Sequence, residues 1–117
     1  MKSTFNPKYV NLDQVLRISR GDEKKRNTYL NQFLSLIPER IEILKAGMND
    51  KDRIAVRKAV HNMGPQIQFF GISEMSSYIT RVESEYETMS LAEMEEIVTK
   101  TIHILKHALE EVSMLLN

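Results

Sequence analysis

The sequence predicts an all-α protein, an antiparallel four-helix bundle with a short extra helix at the N-terminus. Three observations predict it. Apolar residues recur at spacings of three and four through four long segments. The glycines fall largely between those segments, at Gly21, Gly47 and Gly71. No segment alternates apolar and polar residues with the period of a strand. Short connections between long amphipathic helices place chain neighbours side by side and antiparallel.

Asn11 with Gln14 resembles a capping box and opens a short first helix that ends near Ser19. Leu12, Val15, Leu16 and Ile18 give that helix one apolar side, suited to lying across an end of the bundle. Gly21-Asp22 breaks it and caps a second helix from about Glu23 to Ala46, striped by Tyr29, Leu30, Phe33, Leu34, Ile37, Ile41 and Leu44. Pro38 cannot donate to the carbonyl of Leu34, so a kink or a restart is expected there. Gly47 is placed as the C-terminal stop, and Asn49 or Asp50 as the next cap. A third helix from about Lys51 to Phe70 carries Val56, Val60, Met63, Ile67 and Phe70, and Gly71 ends it. Ser73 caps the fourth, which carries Met75, Tyr78, Ile79, Val82 and Tyr86. Ser90-Leu91-Ala92-Glu93 is a capping box for the fifth. Its stripe is Met94, Val98, Thr101, Ile102, Leu105, Leu109, Val112 and Leu116.

A chain of 117 residues fits one domain, 1–117. An apolar fraction of 42% is enough for one core. Sixteen basic and sixteen acidic residues cancel, so no global field points to nucleic acid or an anionic membrane. The absence of cysteine excludes disulfides, thiolate metal sites and cysteine nucleophiles, and suits a reducing cytoplasm. No apolar run approaches the roughly 20 residues of a membrane span. The stretch Met1 to Asn11, with Phe5, Tyr9 and Val10 scattered in it, lacks the apolar run of a signal peptide. A soluble cytoplasmic protein, or a module of a larger one, is expected. A bundle of this size has no natural deep pocket, which argues against small-molecule catalysis.

The informative stretch runs from Arg57 to Gly71. With Val60 on the core stripe taken as zero, Gly64 falls at roughly 40°, Arg57 at 60°, Gln68 at 80° and His61 at 100° around a helix. His61 therefore faces largely outward, between a cation, an amide and a residue with no side chain. A neutral imidazole is nucleophilic near physiological pH, because histidine ordinarily titrates near 6.5. The phosphoramidate it would form is reactive enough to pass the group on. Arg57 at i−4 and Lys58 at i−3 are placed to offset added negative charge.

The stretch resembles the signature of histidine-containing phosphotransfer (HPt) domains of bacterial two-component phosphorelays. That signature is a histidine, an apolar residue two on, a lysine three on, a run of small residues, and a glycine ten on. His61, Met63 and Gly71 occupy the first, second and last of these positions, and Ala59 and Val60 match the small apolar residues before the histidine. Glu83 fits an acidic position common in the family's next helix. The likeness extends over nearly the whole chain, including Leu12 to Gly21 followed by Asp22, and Phe33 to Pro38-Glu39. Two positions depart: Gly64 stands where lysine is usual, and Pro65 where glycine is frequent. Pro65 removes the hydrogen bond to the carbonyl of His61 and disfavours helical geometry at residue 64, which glycine tolerates best. The pair is thus expected to kink the helix beside His61.

The resemblance implies a phosphorelay intermediate rather than a self-contained enzyme. His61 would be the phosphoacceptor, Arg57 and Lys58 its charge partners, and Gly64, Pro65 and Gln68 the docking floor. The implied partners are receiver domains of response regulators and a hybrid sensor histidine kinase, met by a monomer. The divalent ion of the transfer would belong to the receiver, so no cofactor is implied here. The alternative is a degenerate HPt-like bundle that docks a receiver or another signalling partner without transferring phosphate.

Other candidates are weaker. His103 and His107 have zinc-ligand spacing, with Glu110 or Glu111 as a third ligand, but no Glu lies between them as in the zinc proteases. A solvated flank is the simpler reading. The carboxylates at Glu83, Glu85, Glu87, Glu93, Glu95 and Glu96 suit helix starts. Lys24-Lys25-Arg26 lacks interleaved aromatics, so nucleic-acid binding is not expected. The seven methionines read as core filler. Nothing resembles a phosphate-cradling glycine loop, so any kinase activity lies in another protein or domain.

Overall fold

Capping residues and close helix contacts decide where each element begins and ends. The structure is a computed structural model describing residues 6–116, and Phe5 lies outside them. The described residues contain no strand. They form α1 (Asp13–Ser19), α2 (Glu23–Asn49), α3 (Arg53–Phe69), a 3-10 turn (Ser73–Met75), α4 (Ser76–Glu85) and α5 (Leu91–Leu116). α2 packs against α3 and α5, α3 against α4, α4 against α5, and α1 against α2. The described chain measures 47 × 21 × 20 Å. Among the described residues no helix is long and apolar enough to cross a membrane.

The stripes become the core. Leu30, Phe33, Ile37, Ile41 and Leu44 of α2 are buried, as are Val56, Val60, Met63, Ile67 and Phe70 at α3. Tyr29 and Leu34 are half-buried at its edge. Phe33 and Phe70 meet at 4.3 Å between ring centroids, and Phe69 meets Tyr29 edge-on at 5.2 Å. Each such aromatic pair adds about 0.5–1.5 kcal/mol beyond the area it buries. On α5, Met94, Val98, Thr101, Leu105 and Val112 of the stripe are buried while Ile102, Leu109 and Leu116 are half-buried, and Ile97, Ile104 and Ala108 are buried as well, because this helix is covered by both α2 and α4.

Several boundaries differ from expectation. Asn11 does not cap α1 as a box with Gln14. Its Oδ1 accepts the N–H of Asp13, and its own N–H is drawn to the carbonyl of Phe70 at 2.9 Å, so α1 starts at Asp13. Of the apolar side of α1 only Val15 is fully buried; Leu16 and Ile18 are 49% and 44% exposed. Pro38 sits within continuous α2 without a restart. Gly47 does not stop α2 but lies buried inside it, where a Cβ would approach Ala55 Cβ and Val56 N at 3.3 Å. It allows α3 to come close. The turn is made later, at Lys51 with φ 56°. The cap of α3 is accordingly Asp52, which accepts the N–H of Ala55, rather than Asn49 or Asp50.

Gly71 follows α3 in the left-handed region, φ 60°. α3 itself runs helical through Gly64 and Pro65, so the pair does not interrupt it. Ser73 makes no side-chain cap; it opens the 3-10 turn, and α4 is only 10 residues long rather than a long helix. The Ser90 capping box forms: Ser90 Oγ accepts from Glu93 N at 3.1 Å, and Glu93 Oε1 accepts from Ser90 N at 3.1 Å.

Candidate functional site

α3 and α4 face each other across an open groove of about 710 Å³. His61, Gly64, Pro65 and Gln68 line its α3 side, Gly71 and Ser73 the turn between the helices, and Ser76, Ile79, Thr80 and Glu83 its α4 side. These positions follow from helical period. His61, Gly64, Gln68 and Gly71 are spaced by three or four, and so are Ser76, Thr80 and Glu83. Met63, the apolar residue of the motif, points to the opposite side and is fully buried. It anchors α3 and leaves the outward face to His61.

The His61 side chain is 62% exposed. Its Nδ1 lies 3.4 Å from Oε2 of Glu83, whose side chain is 34% exposed. A carboxylate there favours the tautomer that donates a hydrogen bond from Nδ1–H and keeps its lone pair on Nε2. The arrangement sets an exposed imidazole beside a carboxylate, with an open floor at Gly64, where an added Cβ would meet nothing within 4 Å.

The arginines near the groove have partners at the end of α4 and in the turn after it. The Arg57 guanidinium sits over the ring of Tyr86 at 5.5 Å, a cation–π contact that ties α3 to the end of α4. Arg53, one turn earlier, donates to the carbonyls of Tyr86 and Met89. Arg81 on α4 bonds Glu93 at 3.0 Å and Glu85 at 3.3 Å. The Glu93 and Glu85 carboxylates pull its pKa further up. Glu93 in turn is held below the usual carboxylate range by the Ser90 N–H and by Arg81. These arginines brace the α4–α5 turn. Lys58 is exposed one turn from His61.

The sequence reading missed Ser76, Thr80 and Ile79 as groove residues. The signal was their spacing with Glu83 on one face of α4. His103 and His107 lie apart from this groove on α5: their rings meet edge to face at 4.5 Å, and His107 Nδ1 is 3.4 Å from Glu110. Among the described residues no three His, Asp or Glu side chains gather at metal-binding separation. Compared with known proteins, the chain matches no family model, and no curated protein or solved structure resembles it significantly.

Proposed function

We propose that this chain is a phosphorelay intermediate that carries a phosphoryl group on His61 between aspartates of receiver domains. The observation that carries the reading is the exposed His61, with Nδ1 turned to Glu83 and Nε2 left for a partner at the rim of an open groove. In this reading α2 to α5 form an antiparallel four-helix bundle with α1 across one end, as their packing order and short turns favour. The protein acts as a cytoplasmic monomer, is charged by a receiver domain served by a hybrid sensor histidine kinase, and binds no cofactor of its own.

The step balances simply. The Nε2 lone pair attacks the phosphorus of the receiver's acyl phosphate, the bond from phosphorus to the aspartate oxygen breaks, and the carboxylate leaves. The ring then carries a proton on Nδ1 and the phosphoryl group on Nε2, and the Glu83 carboxylate offsets the positive charge of that ring. Gly64, Pro65 and Gln68 form the floor against which the receiver rests, and Arg57 and Lys58 are the charge partners. Incubation with receivers charged by acetyl phosphate tests the reading. The label on this chain should be labile to acid and stable to alkali, as a phosphoramidate is. A label of the opposite stability, or none, defeats it.

A second reading has an observation of its own. Glu83 brings negative charge to His61, Gly64 brings no lysine, and Arg57 is engaged with Tyr86. These favour a bundle that docks a receiver without taking its phosphate. Gly64→Lys distinguishes the two, because the space above residue 64 is open. One added cation near a dianion contributes about 0.3–1 kcal/mol when exposed and more once a partner excludes water. Transfer from the same receiver should therefore speed up by about three- to tenfold. A slower Gly64→Lys protein at saturating receiver would show that the glycine is needed in the complex and that missing charge is not the limitation.

A further inference from the structure

Residues 6–12 form no helix, yet residues 8–11 of them are tied down. The Glu111 carboxylate on α5 accepts the N–H of Lys8 at 2.7 Å, of Tyr9 at 2.9 and 3.1 Å, and of Val10 at 3.0 Å. The Tyr9 ring stacks on His107, with centroids 4.9 Å apart and planes within 10°. Val10 is 5% exposed in the core. Asn11 donates its N–H to the Phe70 carbonyl and lies so close to Gly71 that a Cβ there would meet its Cβ at 2.7 Å and its carbonyl oxygen at 2.8 Å. Gly71 and Ser73 line both the His61 groove and a second groove beneath this strap.

A carboxylate that gathers three successive backbone N–H groups makes charge-assisted bonds, stronger than neutral ones. The strap has no hydrogen-bond ladder of its own, so its order depends on that side chain together with the Tyr9 stack, the seat of Val10 and the Asn11 bond to Phe70. Where the strap ends, it presses on the turn that lines the groove. We propose that Glu111 is a positioning residue: it latches the strap, and the latched strap fixes residues 71–73, the turn lining the groove where the receiver rests. The docking role depends on the His61 reading above; the latch does not.

Amide hydrogen exchange on the full chain tests it, with wild type beside Glu111→Gln. Loss of the charge should speed exchange at Lys8, Tyr9, Val10 and Asn11 by at least about tenfold, the factor that about 1.4 kcal/mol produces. Ile72 and Ser73 should follow, while Phe33, Ile37 and Ile41 in α2 keep their wild-type rates. Wild-type rates at residues 8–11 or equal acceleration through α2 would overturn the latch, and an opened strap with unchanged Ile72 and Ser73 would overturn its hold on residues 71–73. In transfer assays, Glu111→Gln should raise the receiver concentration for half-maximal rate by about threefold or more, with the saturated rate within about twofold. An unchanged half-maximal concentration would overturn the docking role. If wild type takes no label, the His61 reading fails, and the exchange result still decides the latch.

Discussion

His61→Gln is expected to abolish phosphoryl acceptance while leaving the protein folded. The side chain is 62% exposed and makes one long contact, to Glu83 at 3.4 Å, so its removal should change stability by no more than about 0.5 kcal/mol. Glutamine keeps the size and polarity of the residue but has no nitrogen lone pair able to attack phosphorus. Label from a charged receiver should thus fall to background. His103→Gln and His107→Gln should keep their label, because those rings lie on α5 and pack with each other and with Tyr9, away from the groove. A His61→Gln protein that still takes label would move the acceptor elsewhere. A His61→Gln protein that has unfolded, as read by far-ultraviolet circular dichroism, would show that His61 is structural.

Among the glycines, Gly71→Ala should be the most damaging substitution. Two costs combine. At φ 60° a residue with a Cβ is strained by about 1–2 kcal/mol. The new Cβ would also stand 2.7 Å from Asn11 Cβ and 2.8 Å from its carbonyl oxygen, so the strap must move. Moving it lengthens or breaks the Asn11 N–H bond to Phe70, about 1 kcal/mol, and draws on the burial of Val10, where full exposure costs about 1.5–3 kcal/mol. A total loss of about 3–4 kcal/mol is expected in urea denaturation. Gly21→Ala is the control. Its φ is 78°, but nothing lies within 4 Å of an added Cβ, so only the backbone cost of about 1–2 kcal/mol remains. Equal losses at the two positions would show that the Asn11 contact contributes nothing.

What could be read from the sequence was whatever short-range spacing decides. The α3 stripe from Val56 to Phe70 and the Ser90 box with Glu93 are local patterns, and both form. The angle that turned His61 outward is likewise a property of one helix. Features set by distant contacts were not legible. Gly47 looked like a helix stop because its use, the close approach of Ala55 and Val56, lies on another helix. That misreading also moved the α3 cap from Asp52 to Asn49 or Asp50. Arg57 stands one turn before His61, as spacing says, but its contact with the ring of Tyr86, 29 positions along the chain, could not be read there. The strap was least legible of all, since its ligand Glu111 is about a hundred positions away and three backbone amides leave no mark in a sequence. On the α4 side of the groove, Ser76, Thr80 and Glu83 were readable by period, but only once α4 was known to face α3.

The most direct test follows the phosphoryl group itself. A receiver carrying phospho-aspartate is mixed with an equal amount of this chain labelled with ¹⁵N in its imidazoles, and ³¹P and ¹⁵N spectra are recorded as transfer proceeds. The account predicts that the acyl-phosphate signal decays as a phosphoramidate signal grows, with the new bond on Nε2 of His61 and the proton kept on Nδ1 beside Glu83. Decay of the acyl phosphate to inorganic phosphate alone, or a bond on Nδ1 or on another histidine, would contradict it.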